Sequence, residues 1–438
     1  MKREEQSRAA ESMLVQIEKP VYGGAFLARV EGKAVFVPLT LPGEQARVRI
    51  VEDRRGYAMA EAEAIVSAAP ERTEPACPHF ATCGGCAYQH APYAEQLKFK
   101  EKILRETLER AGVQPPEQID VLSAEPWGYR NRIRLAFDAA GNVGYRGRRS
   151  HAVIPLTECP IAAPLLVKAA LIAAELLRTV TPSLQPSEIA LFLRGDEAAL
   201  LVGLTVRNGS KKIFEKFTQA LKERVPELAG AELLVEEIAR GRRPAGPPRT
   251  MMSWGWPSIL YSAGGFDYRV DQGAFFQVNR FLVDALLERV TAGHKGRVAW
   301  DLFAGVGLFA RRLTENFAQV VAVESAPLST AALKENLQGT GGRAVAASTL
   351  EFLRRPEGRQ TPDLIVVDPP RMGLGAEVVE CLAAVAAPSV AYVSCDPATL
   401  ARDLKALLAS GYTIQSVAVA DLFPQTFHLE TVVQLRKA

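Results

Sequence analysis

The 438-residue sequence predicts an α/β chain with a doubly wound parallel sheet at its C-terminal end, an OB-like β-barrel at its N-terminal end and a central α+β domain. Three observations lead there. From Arg297 onward, near-continuous apolar strands alternate with helical patterns, as in "RVAWDLF", "LFARRLTEN", "QVVAVE", "LSTAALKENLQ", "DLIVVD" and "SVAYVS". Such strands are buried on both faces, which is the mark of a Rossmann-like sheet covered by helices. Residues 13–66 instead read as short strands parted by turn signals at Tyr22-Gly23-Gly24, Glu31-Gly32 and Pro42-Gly43, the pattern of a small barrel. Residues 121–250 mix strands and helices, and "ARGRRPAGPPRT" closes them as a loop or boundary. The chain is too long for one core, and its expected domains are 10–68, 75–265 and 266–438.

Composition narrows the class of function. Apolar residues make up 48% and charged residues 23%, an ordinary balance for a soluble globular protein. The net charge of +3 permits a nucleic-acid partner without demanding one. The first residues, "MKREEQSRAAESM", are polar, and no apolar run is long enough to cross a bilayer. The expectation is therefore a cytosolic (cytoplasmic) protein with no membrane partner, acting as a monomer. Six cysteines without a secretion signal point to metal or chemistry before disulfides.

Taken in order, the barrel carries Arg47, Arg49, Arg54 and Arg55, which fit either a nucleic-acid face or a solvated one. "CPHFATCGGC" then places Cys77, Cys83 and Cys86 at C-x5-C-x2-C, with Cys159 of "PLTECPI" as a distant fourth. Thiolates at this spacing hold an iron–sulfur cluster or zinc. Residues 93–111 have helical periodicity that stops at Gly112, and this helix is a candidate to pack on the C-terminal domain. In "GYRNRIRLAF", Arg130, Arg132 and Arg134 share one strand face, and such a row suits RNA phosphates. Phe275 and Phe276 are candidates for stacking on a splayed base or for the core.

The C-terminal region carries the chemistry. "DLFAGVGLFA" sets Gly305 and Gly307 between a strand and a helix, where free N–H groups and open backbone admit a ligand. Glu324 ends the next strand, about 20 residues on, where a carboxylate grips ribose hydroxyls. This pattern suits S-adenosylmethionine and NAD alike. Asp368 ends another strand at the same edge, and Pro369 and Pro370 stiffen the loop after it. Cys395 precedes Asp396, a helix cap, and Pro397, a first-turn residue. Its sulfur is expected to feel the positive end of that helix and lean toward thiolate. Glu430 opens a late β run and shares a face with His428, so either is a candidate proton acceptor. Cys381 lies in an apolar helical run and reads as filler. The last two β runs are expected to pair as an antiparallel edge.

Five motifs follow one another: "FFQVN" (275–279), "DLFAGVGLF" (301–309), "DPPRMG" (368–373), "SCDPATLARDL" (394–404) and "FPQTFHLETVVQL" (423–435). Together they resemble the RNA uracil-C5 methyltransferase family, the S-adenosylmethionine-dependent 5-methyluridine enzymes. The resemblance implies a Rossmann-like methyltransferase domain, an N-terminal TRAM domain that binds RNA, and a [4Fe-4S] cluster, with zinc as the alternative. It implies Cys395 as nucleophile and Glu430 as base. It also implies Gln277, Phe303, Glu324 and Asp368 as contacts to the cofactor or the base near it. Three positions depart from the pattern: Ala304, where Cys is frequent; Leu308, where a polar residue is frequent; and Asp396, where Asn is usual. The last puts a negative charge near the sulfur, which works against thiolate.

The implied reaction explains the residue set. Uracil C5 is too weak a nucleophile to take a methyl group unaided. A thiolate added at C6 turns the ring into an enolate, C5 takes the methyl group, a base removes the C5 proton and the thiol leaves. A paired uridine does not present C6, so the target must be flipped or single-stranded. Ribosomal RNA is favoured over transfer RNA as the partner. Rival readings are a cytosine-C5 RNA methyltransferase, an NAD-type oxidoreductase using the same glycine loop, and a non-catalytic RNA-binding protein.

Overall fold

The structure, a computed structural model, describes residues 12–236 and 248–438. The polar N-terminal stretch, residues 10 and 11 of the expected barrel and most of the 239–250 boundary segment lie outside the described residues.

Strands β1 (Ser12–Val21), β2 (Ala25–Val30), β3 (Lys33–Pro38), β4 (Gln45–Asp53) and β5 (Tyr57–Ser67) close into a barrel in the order β1-β2-β3-β5-β4. Period-two patterning builds it: Ala46, Val48 and Ile50 of β4 point inward, while Gln45, Arg47 and Arg49 point out. Two of the barrel arginines are ion-paired at the surface, Arg49 with Glu61 and Arg54 with Glu52. That pairing favours the solvated-face alternative for those two.

Helix α1 (Tyr93–Arg110) and strand β6 (Asp120–Leu122) follow. The central sheet then takes β7 (Arg132–Phe137), β8 (Val143–Arg146) and β9 (Val153–Pro155), helix α2 (Pro164–Thr179), β10 (Pro186–Leu193), β11 (Leu200–Val206), helix α3 (Lys211–Arg224), β12 (Leu228–Val235) and β13 (Arg249–Gly255). Its order is β13-β12-β11-β10-β7-β8-β9. Strand β11, "LLVGLTV", is buried throughout because neighbours and helices cover both its edges and faces.

A hairpin of β14 (Ser258–Ala263) and β15 (Phe266–Asp271) leads into the last domain. There α4 (Val283–Thr291), β16 (Gly296–Leu302), α5 (Leu308–Leu313), β17 (Phe317–Glu324), α6 (Pro327–Asn336), β18 (Gly342–Ala346), α7 (Thr349–Arg354), β19 (Leu364–Val367), α8 (Ala376–Val385), β20 (Ser389–Ser394), α9 (Pro397–Ala409), β21 (Tyr412–Ala420) and β22 (Glu430–Lys437) alternate. They form an eight-stranded sheet ordered β18-β17-β16-β19-β20-β22-β21-β6. Alternate residues feed two cores: Leu364 and Val366 of β19 face one, Ile365 and Val367 the other.

Two features differ from the sequence expectation. The 265/266 cut falls on the Gly264-Gly265 turn of the β14–β15 hairpin, whose Tyr268 and Val270 belong to a core of the C-terminal domain. Helix α1 packs on the C-terminal domain: Ile103, Leu104 and Leu108 share a core with Trp300, Tyr392 and Leu400. Finally, β21 and β22 do pair antiparallel, but they are not the edge. Strand β22 inserts beside β20, and β6 pairs parallel to β21 outside it. A three-residue strand has no periodicity from which to read this.

Candidate active site

The glycine loop after β16 is built on left-handed backbone. Phe303 (φ 70°), Gly305 (φ 56°) and Gly307 (φ 94°) turn the chain sharply from strand to helix α5. At Gly307 a Cβ would lie 2.6 Å from Leu333 Cδ1, so both the backbone sign and the space call for glycine. Nothing lies within 4 Å of a Cβ built on Gly305, leaving open space above the loop. The Glu324 carboxylate accepts from the Gly305 N–H at 2.8 Å and from the Ala326 N–H at 2.6 Å, tying the end of β17 to the loop. Gln277, Phe303, Gly305, Asp368 and Phe275 line one cleft, with Leu308 and Ala304 in its apolar wall. Glu324 and Gly307 shape the loop and do not line that cleft.

Asp301, which the motif reading passed over, lies buried beneath the loop. Its Oδ2 accepts from the Ala310 N–H at 2.8 Å, while Oδ1 has no partner within the protein. Burial, and then the nearby Asp368 and Glu324 carboxylates, push it up to about 8. An orphaned carboxyl oxygen, an apolar floor and acids at the rim fit a cationic nucleoside such as S-adenosylmethionine. Asn131 is a second omission: its amide donates to the Gln277 carbonyl at 3.0 Å and to the Tyr261 hydroxyl at 3.2 Å. It holds the Gln277 loop from the central domain, a role that only tertiary contact displays.

Cys395 sits between β20 and α9. Asp396 Oδ1 caps α9, accepting from the Ala398 and Thr399 N–H groups, both at 3.0 Å. The expectation of a thiolate-leaning sulfur is overturned. Burial, then Glu430 and Asp368, push the thiol up to about 12, with Arg371 opposing. Desolvation and two facing carboxylates outweigh the helix end. The Asp396 carboxylate is turned onto the helix N–H groups, so it is not the leading cause.

Glu430 opens β22 and is buried; burial and the Asp368 carboxylate raise its pKa well above the usual range. Burial also pushes Asp368 up to about 7. His428 behaves differently. Burial, followed by Arg371, holds it down to about 4, and its Nδ1 accepts from Arg371 Nη2 at 3.2 Å. A ring already engaged and this weakly basic is a poor proton acceptor, which leaves Glu430 as the stronger candidate. From the barrel, the Tyr22 hydroxyl donates to the Cys395 carbonyl at 3.3 Å. Asp403 braces the Pro-Pro loop, accepting from the Leu374 N–H and the Tyr392 hydroxyl.

Cys77, Cys83, Cys86 and Cys159 line one cavity with Arg130 and Tyr145. All four are free, and burial raises Cys77, Cys83 and, to about 12, Cys86. Among the described residues, no three His, Cys, Asp or Glu groups gather closely enough to hold a single metal ion.

The arginine row does not form as one exposed face. Arg130 turns into the cysteine cavity. Arg132 stacks on Phe192, 4.1 Å from its centroid, and braces the Ala274 carbonyl beside Phe275. Only Arg134 is exposed, paired with Glu188 at 3.2 Å. The neighbouring sheet and loop pack on the side that alternation alone leaves open. Phe275 is 64% exposed while Phe276 is buried against Tyr261, so one of the pair is core and the other free.

Comparison with known proteins agrees with this layout. Residues 359–438 match the family model for tRNA (uracil-5-)-methyltransferase, and residues 7–62 match the TRAM domain. An uncharacterized RNA methyltransferase of Nitratidesulfovibrio vulgaris is 32% identical, over 96% of this chain and 95% of its own. The 23S rRNA (uracil(1939)-C(5))-methyltransferase RlmD of Klebsiella pneumoniae is 32% identical, over 94% of this chain and 92% of its own. Among solved structures, the fold matches that of the Pyrococcus abyssi tRNA (uracil-54, C5)-methyltransferase in complex with S-adenosyl-L-homocysteine. The TM-score is 0.76 at 23% identity, covering 96% of this chain and 100% of that one. On these similarities the chain belongs to the RNA uracil-C5 methyltransferase family.

Proposed function

We propose that this chain transfers a methyl group from S-adenosylmethionine to C5 of one uridine in ribosomal RNA through a covalent adduct on Cys395. The observation that carries the reading is the grouping of the half-buried Cys395 thiol with the buried Glu430 carboxyl and the half-buried Asp368 carboxyl, the last of which lines the glycine-loop cleft. When bound, S-adenosylmethionine supplies an electrophilic methyl group. The protein does the rest. The Cys395 thiol loses its proton to solvent and the sulfur bonds to C6, the C5–C6 π electrons moving onto the ring carbonyl oxygen as an enolate. After C5 has accepted the methyl group, Glu430 takes the C5 proton. The C–H electron pair re-forms the C5–C6 double bond and expels the Cys395 sulfur. Gln277, Phe303, Gly305 and Asp368 would hold the cofactor, with Glu324 and Gly307 setting the loop. Exposed Phe275 is placed to stack on a flipped base. The RlmD relative acts on 23S rRNA by its name, and its greater identity favours ribosomal over transfer RNA.

The four cysteines would hold a [4Fe-4S] cluster. The four thiols line one cavity with Arg130, and zinc is the alternative group. Methyl transfer requires no electron, so the group would tie segment 77–86 to Cys159 and leave redox chemistry aside.

Nucleoside mass spectrometry tests the function. RNA treated with the wild type should gain 5-methyluridine, and RNA treated with Cys395→Ala should not. Gain of 5-methylcytidine instead would move the chain to the cytosine rival. Iron-type absorbance of anaerobically purified protein tests the cluster.

A further inference from the structure

Glu430 follows the loop 421–429 and faces Ala420 across the β21–β22 pair, and little within that loop fixes its own shape. Thr426 bonds back to the Phe423 carbonyl, and His428 N–H to Thr426 Oγ1. The remaining anchors reach in from a distant part of the chain. Lys100 donates to the Phe423 carbonyl at 2.9 Å, and the Tyr129 hydroxyl to the Pro424 carbonyl at 3.1 Å.

Gln425 concentrates these anchors. It is buried and adopts left-handed backbone (φ 69°), a conformation that a non-glycine residue keeps only where its surroundings over-determine it. Its carbonyl accepts from the Ala87 N–H at 2.9 Å and the Tyr88 N–H at 3.0 Å, just after Cys86. Its N–H donates to Gln96 Oε1 at 2.9 Å, and Gln96 Nε2 donates back to Gln425 Oε1 at 2.8 Å. Gln96 Nε2 also reaches the Tyr88 and Ala91 carbonyls, so the pair is fixed from both sides.

We infer that Gln425, clamped by Gln96 and the Ala87–Tyr88 backbone, is a positioning residue that sets the orientation of the Glu430 base. The inference rests on the reading of Glu430 as the group that takes the C5 proton. It makes a specific demand. Proton removal follows methyl transfer, so a loosened loop should slow the last step and spare the earlier ones. Enzyme should then accumulate as a methylated covalent adduct with RNA.

The test is a single-turnover time course with labelled cofactor and target RNA, resolving adduct from released product on a denaturing gel. Gln96→Ala removes both bonds of the reciprocal pair, including the acceptor of the Gln425 N–H. Gln425→Gly removes only the side-chain bond to Gln96 Nε2 and keeps a residue suited to left-handed backbone. Both variants should form methylated adduct within ~3-fold of the wild-type rate and release product roughly 10- to 100-fold more slowly. Gln96→Glu, which retains one acceptor, should recover part of the release rate. If the variants slow adduct formation and release in the same proportion, or change neither, Gln425 has no positioning role. Should Gln425→Gly not fold, Gln96→Ala decides alone. Glu430→Gln is the control: if it accumulates no adduct, the reading of the base fails first and the inference falls with it.

Discussion

Lys100 on α1 and Asp421 at the end of β21, 321 residues apart in sequence, form an ion pair with both side chains out of water. Burial works against the Lys100 charge and lowers its pKa, and Asp421 offsets this only in part. Removing one partner of such a pair leaves a charge buried alone. Lys100→Met is therefore expected to lower stability by ~3–5 kcal/mol. A paired Lys100→Met, Asp421→Leu chain should recover much of that loss. Denaturant midpoints of the three proteins check this.

Cys395 should react slowly with alkylating agents at neutral pH. Its pKa is pushed up to about 12, so the thiolate fraction is small and grows with pH. Removing a facing carboxylate charge lowers that pKa. Glu430→Gln and Asp368→Asn are both expected to speed Cys395 labelling at a fixed pH near 9, by ~10-fold for each unit the pKa falls. Iodoacetamide rates read by peptide mass spectrometry would show it.

Asp396 should be exchangeable for Asn without loss of stability, because both residues cap helices equally well. The cap bonds to Ala398 and Thr399 need only a side-chain oxygen. Asp396→Ala, by contrast, should cost ~1 kcal/mol. Thermal melts of both variants distinguish the cap from the charge.

Asp301 ties stability to pH. Its carboxyl titrates near 3.8 when exposed and at about 8 in the folded chain. Between those values the folded state holds a proton that the unfolded state has lost, so stability is full below pH 4 and falls as pH rises through 8. Asp301→Asn keeps the acceptor for Ala310 and removes the titration. It should match the wild type at pH 4 and melt higher at pH 9.

Much of the architecture could be read in advance because parallel strands buried on both faces need continuous apolar runs. Strands β16, β17, β19 and β20 announce themselves in that way, while β18, an edge strand largely open to solvent, does not. The site residues at strand ends, Glu324, Asp368 and Cys395, were legible for the same reason: the alternation locates the sheet edge. What escaped the sequence depends on contact across the chain. Gln96 and Gln425 carry no motif that links them, and Tyr22 is one aromatic beside a turn. Arg132 opens β7 and Arg130 lies just before it, held by isolated bridges to Ala162 and Asn279, and neighbours absent from the local pattern turn both inward. The acidity of Cys395 was misjudged because the helix end is a local signal, whereas Glu430 and Asp368 arrive from elsewhere.

The position of β22 has a consequence for how the protein is made. It lies between β20 and β21, with β6 from the first third of the chain closing the far side. Ribosomal synthesis delivers β6 and α1 early, and they must wait for nearly the whole chain before their partners emerge. The slot between β20 and β21 stays open until residues 430–437 have cleared the exit tunnel. A nascent chain therefore carries Cys395 before the strand that brings Glu430 beside it exists, and the site closes only once β22 has been made.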